Sequence, residues 1–319
     1  MTLEILKPKR LKKGDTVGLI SPASPYFFNS LLQRAVSSLE SWGYRVKTGQ
    51  YIDEKHGYLA GTDDQRAEDI NAMFADDDID AIIVTGGGYG SARLIERIDF
   101  QNIRKHPKIF VGFSDITSLH LAIGKYSGLV TFHGPGAKTF NPEMLSSYTE
   151  SQMFEALTSD SPIGNIEKAN ENKWIQTFYP GKANGQITGG NLALVCASLG
   201  TPYEINTKGK ILMLEDWNTE PWLMDHLFNH LYLSGKLNEV AGIVLGECIN
   251  CLPSSGNGMF MNSLTLEDII QDIANKVKKP TIYGLPLGHS KDIATIPLLC
   301  QAELDADNGL LTISDVATT

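Results

Sequence analysis

Four runs in the first 135 residues are apolar through their centres without alternation: Thr16-Val-Gly-Leu-Ile20, residues 80–85, Ile109-Phe-Val-Gly-Phe113 and residues 129–133. A strand buried on one face alternates apolar and polar side chains, so runs without alternation belong to strands covered on both faces. Helical patterns separate them. Leu31, Leu32, Ala35, Val36, Leu39 and Trp42 form one stripe, stopped by Gly43. Thr62-Asp-Asp-Gln65 reads as a helix start, with Ala67, Ile70 and Phe74 on one face. A further helix is expected from Ser91 to about Ile98, and residues 44–47 read as a short strand. This alternation predicts a parallel sheet with helices on both faces.

Between about 140 and 180 the pattern breaks. Ser, Asn, Pro and Glu accumulate around one helical candidate at 150–157, and the stretch reads as a linker. Trp174 and Tyr179 within it read as packing or pocket residues. The second half is mixed α/β. Strands are expected at 210–215, 241–246 and 282–287, helices at 220–233 and 264–277, and a hairpin around Asp307-Asn-Gly309. The expected organisation is an N-terminal domain over 1–145, a linker over 146–180 and a C-terminal domain over 181–319.

The chain carries 27 basic and 37 acidic residues, a net charge of −10. That balance argues against nucleic acid or an anionic membrane as a partner. No apolar run reaches the ~18 residues of a membrane span. Residues 1–14 hold five Lys/Arg and lack the apolar centre of a secretory signal, so a cytoplasmic location is expected. Cys248-Ile-Asn-Cys251 has neither a second pair nor suitably spaced histidines beside it, and no metal is expected there.

Ser114 is the leading candidate for chemistry. It follows an apolar strand at once and precedes a helical pattern. A tight turn there would present its Oγ, and the helix start would offer backbone N–H groups to an oxyanion. Serine is also a common helix N-cap, which is the plainer use. Gly86-Gly-Gly-Tyr-Gly90 occupies a second strand-to-helix turn. It lacks the GxGxxG and Gly-Lys-Ser/Thr patterns, and could cradle a phosphate, bring an N–H to a reacting carbonyl, or simply turn the chain. In a parallel sheet both loops share one edge.

A serine needs a base, and the base an orienting carboxylate. His56 and His106 read as exposed loop residues, and His120 lies far along the helix after Ser114. His226 and His230 stand at metal-ligand spacing but without the glutamate of an HExxH motif, which favours packing. His133 and His289 remain as bases. Glu215 ends an apolar strand, where a carboxylate demands a partner. Ser114, Glu215 and His289 follow the nucleophile–acid–base order of α/β-hydrolases. Gly112-Phe-Ser-Asp-Ile116 lacks the closing glycine of their elbow, which disfavours that fold.

Taken together the motifs resemble the LD-carboxypeptidase family of serine peptidases, over nearly the whole chain. They are Lys13-Gly-Asp15 with Ser21-Pro-Ala-Ser24; Ala60-Gly-Thr-Asp-Asp-Gln-Arg66; Gly87-Gly-Tyr-Gly-Ser-Ala-Arg93; Gly112-Phe-Ser-Asp115; His133-Gly-Pro135; Gly189-Gly-Asn191; Leu214-Glu-Asp216; and Gly288-His289 with Thr295-Ile-Pro-Leu298. The resemblance implies a flavodoxin-like N-terminal domain, a C-terminal mixed α/β domain with a small β-barrel, and an active site between them. It implies Ser114 as nucleophile, His289 as base and Glu215 as the acid orienting it. The backbone N–H groups of Asp115 and of Gly88, within the Gly87-Gly88 pair, would form the oxyanion hole. Gly87, Tyr89, Arg93 and Trp217 are candidates for substrate contact, Arg93 as a carboxylate anchor or merely a surface residue.

Members that this chain resembles use no metal or cofactor, are commonly homodimers, and remove D-alanine from muropeptide tetrapeptides in cytoplasmic cell-wall recycling. The chain also departs from the family. Gly86 stands where many members have arginine, Leu299-Cys300 replaces a glycine, and residues 216–222 are unusual. A branch that hydrolyses peptidyl or aminoacyl-nucleotide antibiotics shares the triad, and Trp174, Trp217 and Trp222 could stack a nucleobase. A non-catalytic phosphate or nucleotide binder is the reading from another class.

Overall fold

The computed structural model describes residues 3–26, 29–169, 174–253 and 263–319. The chain divides into two compact units. The first comprises residues 1–163, 291–299 and 316–319. Its sheet contains β1 (Thr16–Ile20), β2 (Arg45–Thr48), β3 (Ala81–Val84), β4 (Ile109–Gly112) and β5 (Thr131–His133), with β12 (Ile296–Leu298) from late in the chain. The strand order is β12-β5-β4-β3-β1-β2. β1 to β5 run parallel, and β12 joins β5 antiparallel with Ile296 opposite His133. The order 2-1-3-4-5 is the flavodoxin-like winding, whose reversal opens a crevice beyond the carboxyl ends of β1 and β3.

The apolar runs behave as expected. Every residue of β1, β3, β4 and β5 is buried, whereas β2 lies near one edge and is largely exposed. Each fully buried Ile, Leu or Phe contributes about 1.5–3 kcal/mol relative to exposure. Helices α1 (Asn29–Ser41), α2 (Asp63–Ala75), α3 (Phe100–Lys105), α4 (Thr117–Ser127) and α5 (Ser147–Thr158) belong to this unit. Thr62 and Gln65 form a capping box at the start of α2, Gln65 N–H donating to Thr62 Oγ1 at 3.3 Å and Thr62 N–H to Gln65 Oε1 at 2.9 Å. The helix expected at 91–98 is a 3₁₀ helix over Ser91–Arg97.

The second unit comprises residues 164–290 and 300–315. It contains β6 (Gly164–Asn165), β7 (Gln176–Tyr179), β8 (Lys182–Asn191), β9 (Ile211–Glu215), β10 (Gly242–Gly246), β11 (Thr281–Leu285), β13 (Gln301–Asp305) and β14 (Leu310–Ile313). They form one sheet in the order β6-β14-β13-β8-β9-β10-β11-β7. This sheet stands where the resemblance places a small barrel. Among the described strands no ladder joins its edges β6 and β7, although Thr177 Oγ1 donates to Ala306 O next to β13. β8 changes partner midway: residues 182–186 pair antiparallel with β13, and residues 187–191 pair parallel with β9. The unit's helices are α6 (Leu192–Ala197), α7 (Pro221–Leu233), α8 (Lys236–Glu239) and α9 (Leu266–Val277). α7 buries Met224, Phe228 and Leu231 and leaves His226 and His230 exposed, so those histidines do not pack in the core, and among the described residues they join no metal-ligating cluster.

The stretch 146–180 is more structured than a linker. α5 belongs to the first unit and β6 and β7 to the second, while residues 170–173 lie outside the described residues. Trp174 is 87% exposed and is no packing residue. No helix among the described residues is long and apolar enough to cross a membrane.

One buried carboxylate has a measurable consequence for stability. Asp69 on α2 accepts the Tyr51 N–H at 3.2 Å, just beyond β2. A Cβ at Gly49 would lie 2.3 Å from its Oδ2, so the chain approaches it closely there. Burial pushes the Asp69 carboxyl up to about 6, against the opposing pull of its backbone donors. A carboxyl raised in the folded state leaves stability intact below its unfolded value near 4 and removes it as pH climbs through 6. The loss approaches about 3 kcal/mol at 1.36 kcal/mol per pKa unit. Asp69→Asn keeps an acceptor for Tyr51 without the charge. It is expected to unfold at higher urea than wild type at pH 8, with the gap closing below pH 4. A variant less stable than wild type at pH 8 would refute desolvation as the dominant effect.

Candidate active site

Ser114 leaves the end of β4 with a φ of 64°. A non-glycine residue in the left-handed region costs on the order of 1–3 kcal/mol and persists only where its surroundings enforce it. Here the enforcement is visible. A Cβ at Gly112 would meet Val84 Cγ2 at 2.7 Å and Ile116 Cγ2 at 2.9 Å, so β4 must end in glycine for the turn to fold onto β3. Residues 114–116 form a 3₁₀ turn that runs into α4. The Asp115 N–H lies in its first turn, where donors have no intrahelical acceptor.

His120 anchors this helix. Its Nε2 lies 2.8 Å from Gly112 O and its Nδ1 2.9 Å from Thr131 Oγ1. A carbonyl only accepts, so Nε2 carries the proton and the threonine hydroxyl donates to Nδ1. Burial pushes the His120 pKa down to about 3. It is a neutral tie between α4, β4 and β5. His133 is fully buried within β5, edge-on to Phe113. His106 pairs with Asp77 at 3.3 Å, and His56 is exposed.

The glycine loop meets Ser114 directly. An ideal Cβ on Gly87 would stand 2.8 Å from Ser114 Cβ, 3.1 Å from its Oγ and 3.3 Å from the Asp115 N–H. Gly88 has a φ of 112°, and a Cβ there would collide with Ser24 Oγ at 2.3 Å. Its N–H has no backbone acceptor among the described residues. Ser24 holds the loop from the far side: its N–H donates to Gly87 O at 3.4 Å, and its Oγ accepts the Tyr89 N–H at 3.2 Å. The Asp115 carboxylate accepts the Ser91 N–H at 2.7 Å, and Ser91 Oγ donates to Asp115 O. Burial raises the Asp115 pKa despite those bonds. The two turns at the sheet edge are thereby fixed to each other.

Arg66 braces the same edge. It is buried, and its Nη1 donates to Pro22 O at 2.6 Å and to Gly90 O at 3.0 Å. Its Nη2 donates to Asp63 at 2.6 Å. Arg93, the candidate carboxylate anchor, is committed elsewhere: its Nε and Nη2 each bind Asp63 at 2.9 Å. That fork is a brace on α2, not an open cation. Tyr89 is 53% exposed and packs edge-on against Tyr58. Ser24, Arg66 and Ser91 stand in the sequence only as members of family-like motifs, because their roles depend on which loops meet in the fold.

Glu215 and His289 belong to the second unit. Glu215 ends β9 fully buried, and His289 Nδ1 lies 2.8 Å from its Oε2. Gly288 has a φ of 65°, and a Cβ there would lie 2.1 Å from Glu215 Oε2. Only glycine lets the turn lay His289 against that carboxylate. The Trp217 ring stacks on the His289 ring with centroids 5.5 Å apart and an interplanar angle of 17°. Asp216 is buried with its pKa raised by desolvation, and it accepts N–H groups from Ala193 at 3.1 Å and Trp217 at 2.8 Å. It therefore fixes the turn that presents Trp217. Gly189, with a φ of 132°, would press a Cβ to 1.8 Å from Met213 O, which accounts for the Gly189-Gly-Asn191 motif as a close β8–β9 approach.

Comparison with known proteins agrees with this arrangement. Residues 17–134 match the model of the LD-carboxypeptidase N-terminal domain, and residues 184–304 that of the LD-carboxypeptidase C-terminal domain. The chain is 41% identical over 305 residues to a probable murein peptide carboxypeptidase of Bacillus subtilis, covering 94% of this chain and 91% of that protein. Among solved structures, the muramoyltetrapeptide carboxypeptidase of Oxalobacter formigenes aligns with a TM-score of 0.82 at 30% identity, over 95% of this chain and 100% of that one. The structure of MccF in complex with glutamyl sulfamoyl guanosine shares the fold, with a TM-score of 0.88 at 24% identity over 98% of this chain and 100% of that one. The chain belongs to the LD-carboxypeptidase family of serine peptidases.

Proposed function

We propose that this protein is a serine carboxypeptidase that removes the terminal D-alanine of murein tetrapeptides by cleaving its bond to the L-centre of a diamino acid. The 2.8 Å contact between His289 Nδ1 and the buried Glu215 carboxylate carries the reading. It fixes the imidazole tautomer with the lone pair on Nε2, the form a general base requires. In this mechanism Ser114 Oγ attacks the scissile carbonyl carbon while His289 takes its proton. The oxyanion is received by the N–H groups of Asp115 and Gly88. Collapse expels the amine of D-alanine, which His289 protonates. Water then attacks the acyl-enzyme by the same route, and the tripeptide leaves. A cytoplasmic location suits recycled cell-wall fragments as substrate. The stacked, half-exposed Trp217 favours a second reading, hydrolysis of an aminoacyl-nucleotide conjugate.

The direct test is D-alanine release from L-Ala-γ-D-Glu-meso-diaminopimelate-D-Ala. Wild type is expected to release it, and Ser114→Ala to lose at least about a thousandfold in kcat. Undiminished turnover by Ser114→Ala sinks the nucleophile assignment. No release by folded wild type favours the nucleotide-conjugate reading instead.

Gly288→Ala tests the dyad. Its Cβ must displace the Glu215 carboxylate, so kcat is expected to fall by about a hundredfold or more while the chain remains folded. Unchanged kcat would show that turnover does not use the Glu215–His289 contact.

A further inference from the structure

A cavity of about 350 Å³ opens at the reversal point of the parallel sheet, beyond the ends of β1 and β3. Ser24, Tyr26, Thr85, Lys138 and the glycines 86–88 line it. Two of its polar groups lack partners among the described residues. The Tyr26 hydroxyl is buried without a hydrogen bond, in a residue only 7% exposed. A buried unsatisfied hydroxyl costs about 1–3 kcal/mol, so its retention calls for an occupant. Lys138, a solvent-exposed residue and the only cation among the described residues that line the cavity, is in no ion pair described for the first unit, whereas Arg66 and Arg93 are both spent on Asp63.

The glycine loop also connects the lysine to the nucleophile. Lys138 lies across Gly86, where an ideal Cβ would be 2.9 Å from its Cδ and 3.4 Å from its Nζ. The next residue, Gly87, is the one whose Cβ would touch Ser114 Oγ at 3.1 Å. An enzyme that removes one C-terminal residue must sense the free carboxylate a single residue beyond the bond it cuts. A cation and a hydroxyl donor that line one cavity with Gly87, the residue against the nucleophile, have the chemistry for it.

We propose that Lys138 and Tyr26 bind the C-terminal carboxylate of the substrate, the ammonium as its counter-charge and the phenol as its hydrogen-bond donor, and so restrict the enzyme to exopeptidase cleavage. This rests on the carboxypeptidase reading above. The remaining apolar wall, Pro25 and Leu31, fits a small side chain such as the methyl of D-alanine.

The test compares the tetrapeptide acid with its C-terminal amide, for wild type, Lys138→Met, Lys138→Arg and Tyr26→Phe, with thermal melts as a folding control. Wild type is expected to prefer the acid in kcat/KM by about ten- to a hundredfold, the range of a hydrogen bond to a charged group. Lys138→Met should bring the acid-to-amide ratio towards one, through a rise in KM for the acid. Tyr26→Phe should lower the ratio part of the way, and Lys138→Arg should largely restore it. A folded Lys138→Met that keeps the wild-type ratio overturns the lysine assignment while leaving the carboxypeptidase reading standing. Wild type that cleaves acid and amide equally also overturns it. Wild type that releases neither D-alanine from the acid nor D-alaninamide from the amide removes both readings together.

Discussion

The buried guanidinium of Arg66 is the contact on which the catalytic edge of the first unit depends. A charge taken out of water is costly unless paired and fully hydrogen-bonded. Arg66 is paired with Asp63 and joins three pieces of chain, the loop after β1 through Pro22, the loop after β3 through Gly90, and α2 through Asp63, while its buried Nε has no partner among the described residues. Asp115 then joins the turn after β4 to Ser91, the neighbour of Gly90. Loops are the mobile parts of most folds. Here three of them share one network of charged and polar contacts, which holds the strained Ser114 against the glycines facing it.

Much of this was legible in the sequence, for a physical reason. The strands at the centre of the parallel sheet are buried on both faces, and their composition says so directly. The capping box at Thr62 and the hairpin around Asp307-Asn-Gly309 are local, and local signals survive in a single sequence. β8 was missed because it reads Lys-Ala-Asn-Gly-Gln-Ile-Thr-Gly-Gly-Asn, with glycines where two backbones approach and no alternation to reveal a buried face. β12 was missed because Pro297 disguises an edge strand, the one place in a sheet where proline is tolerated.

For the site, the pairing of Glu215 with His289 was readable because a carboxylate closing an apolar strand must have a partner. Arg93 was misleading for the opposite reason: its place on the helix after the glycine loop said nothing of Asp63, which comes thirty residues earlier and faces it in space. Lys138 and Tyr26 left no signal. Each is ordinary in its own segment, and what distinguishes them is the cavity they share and the partner that the buried Tyr26 hydroxyl lacks, properties of the folded chain alone.

The first unit is discontinuous. β12 and residues 316–319 come from the far end of the sequence, and Thr319 exchanges backbone hydrogen bonds with Pro8 and Arg10. On a ribosome, β1 to β5 therefore emerge with the outer edge of β5 unpaired until residues 164–290 of the second unit have been made. An open edge of that kind recruits stray strands. Translation order thus sets a quality check: the sheet that presents the serine is sealed only after β12 has been read, and a product terminated before it would retain an adhesive edge.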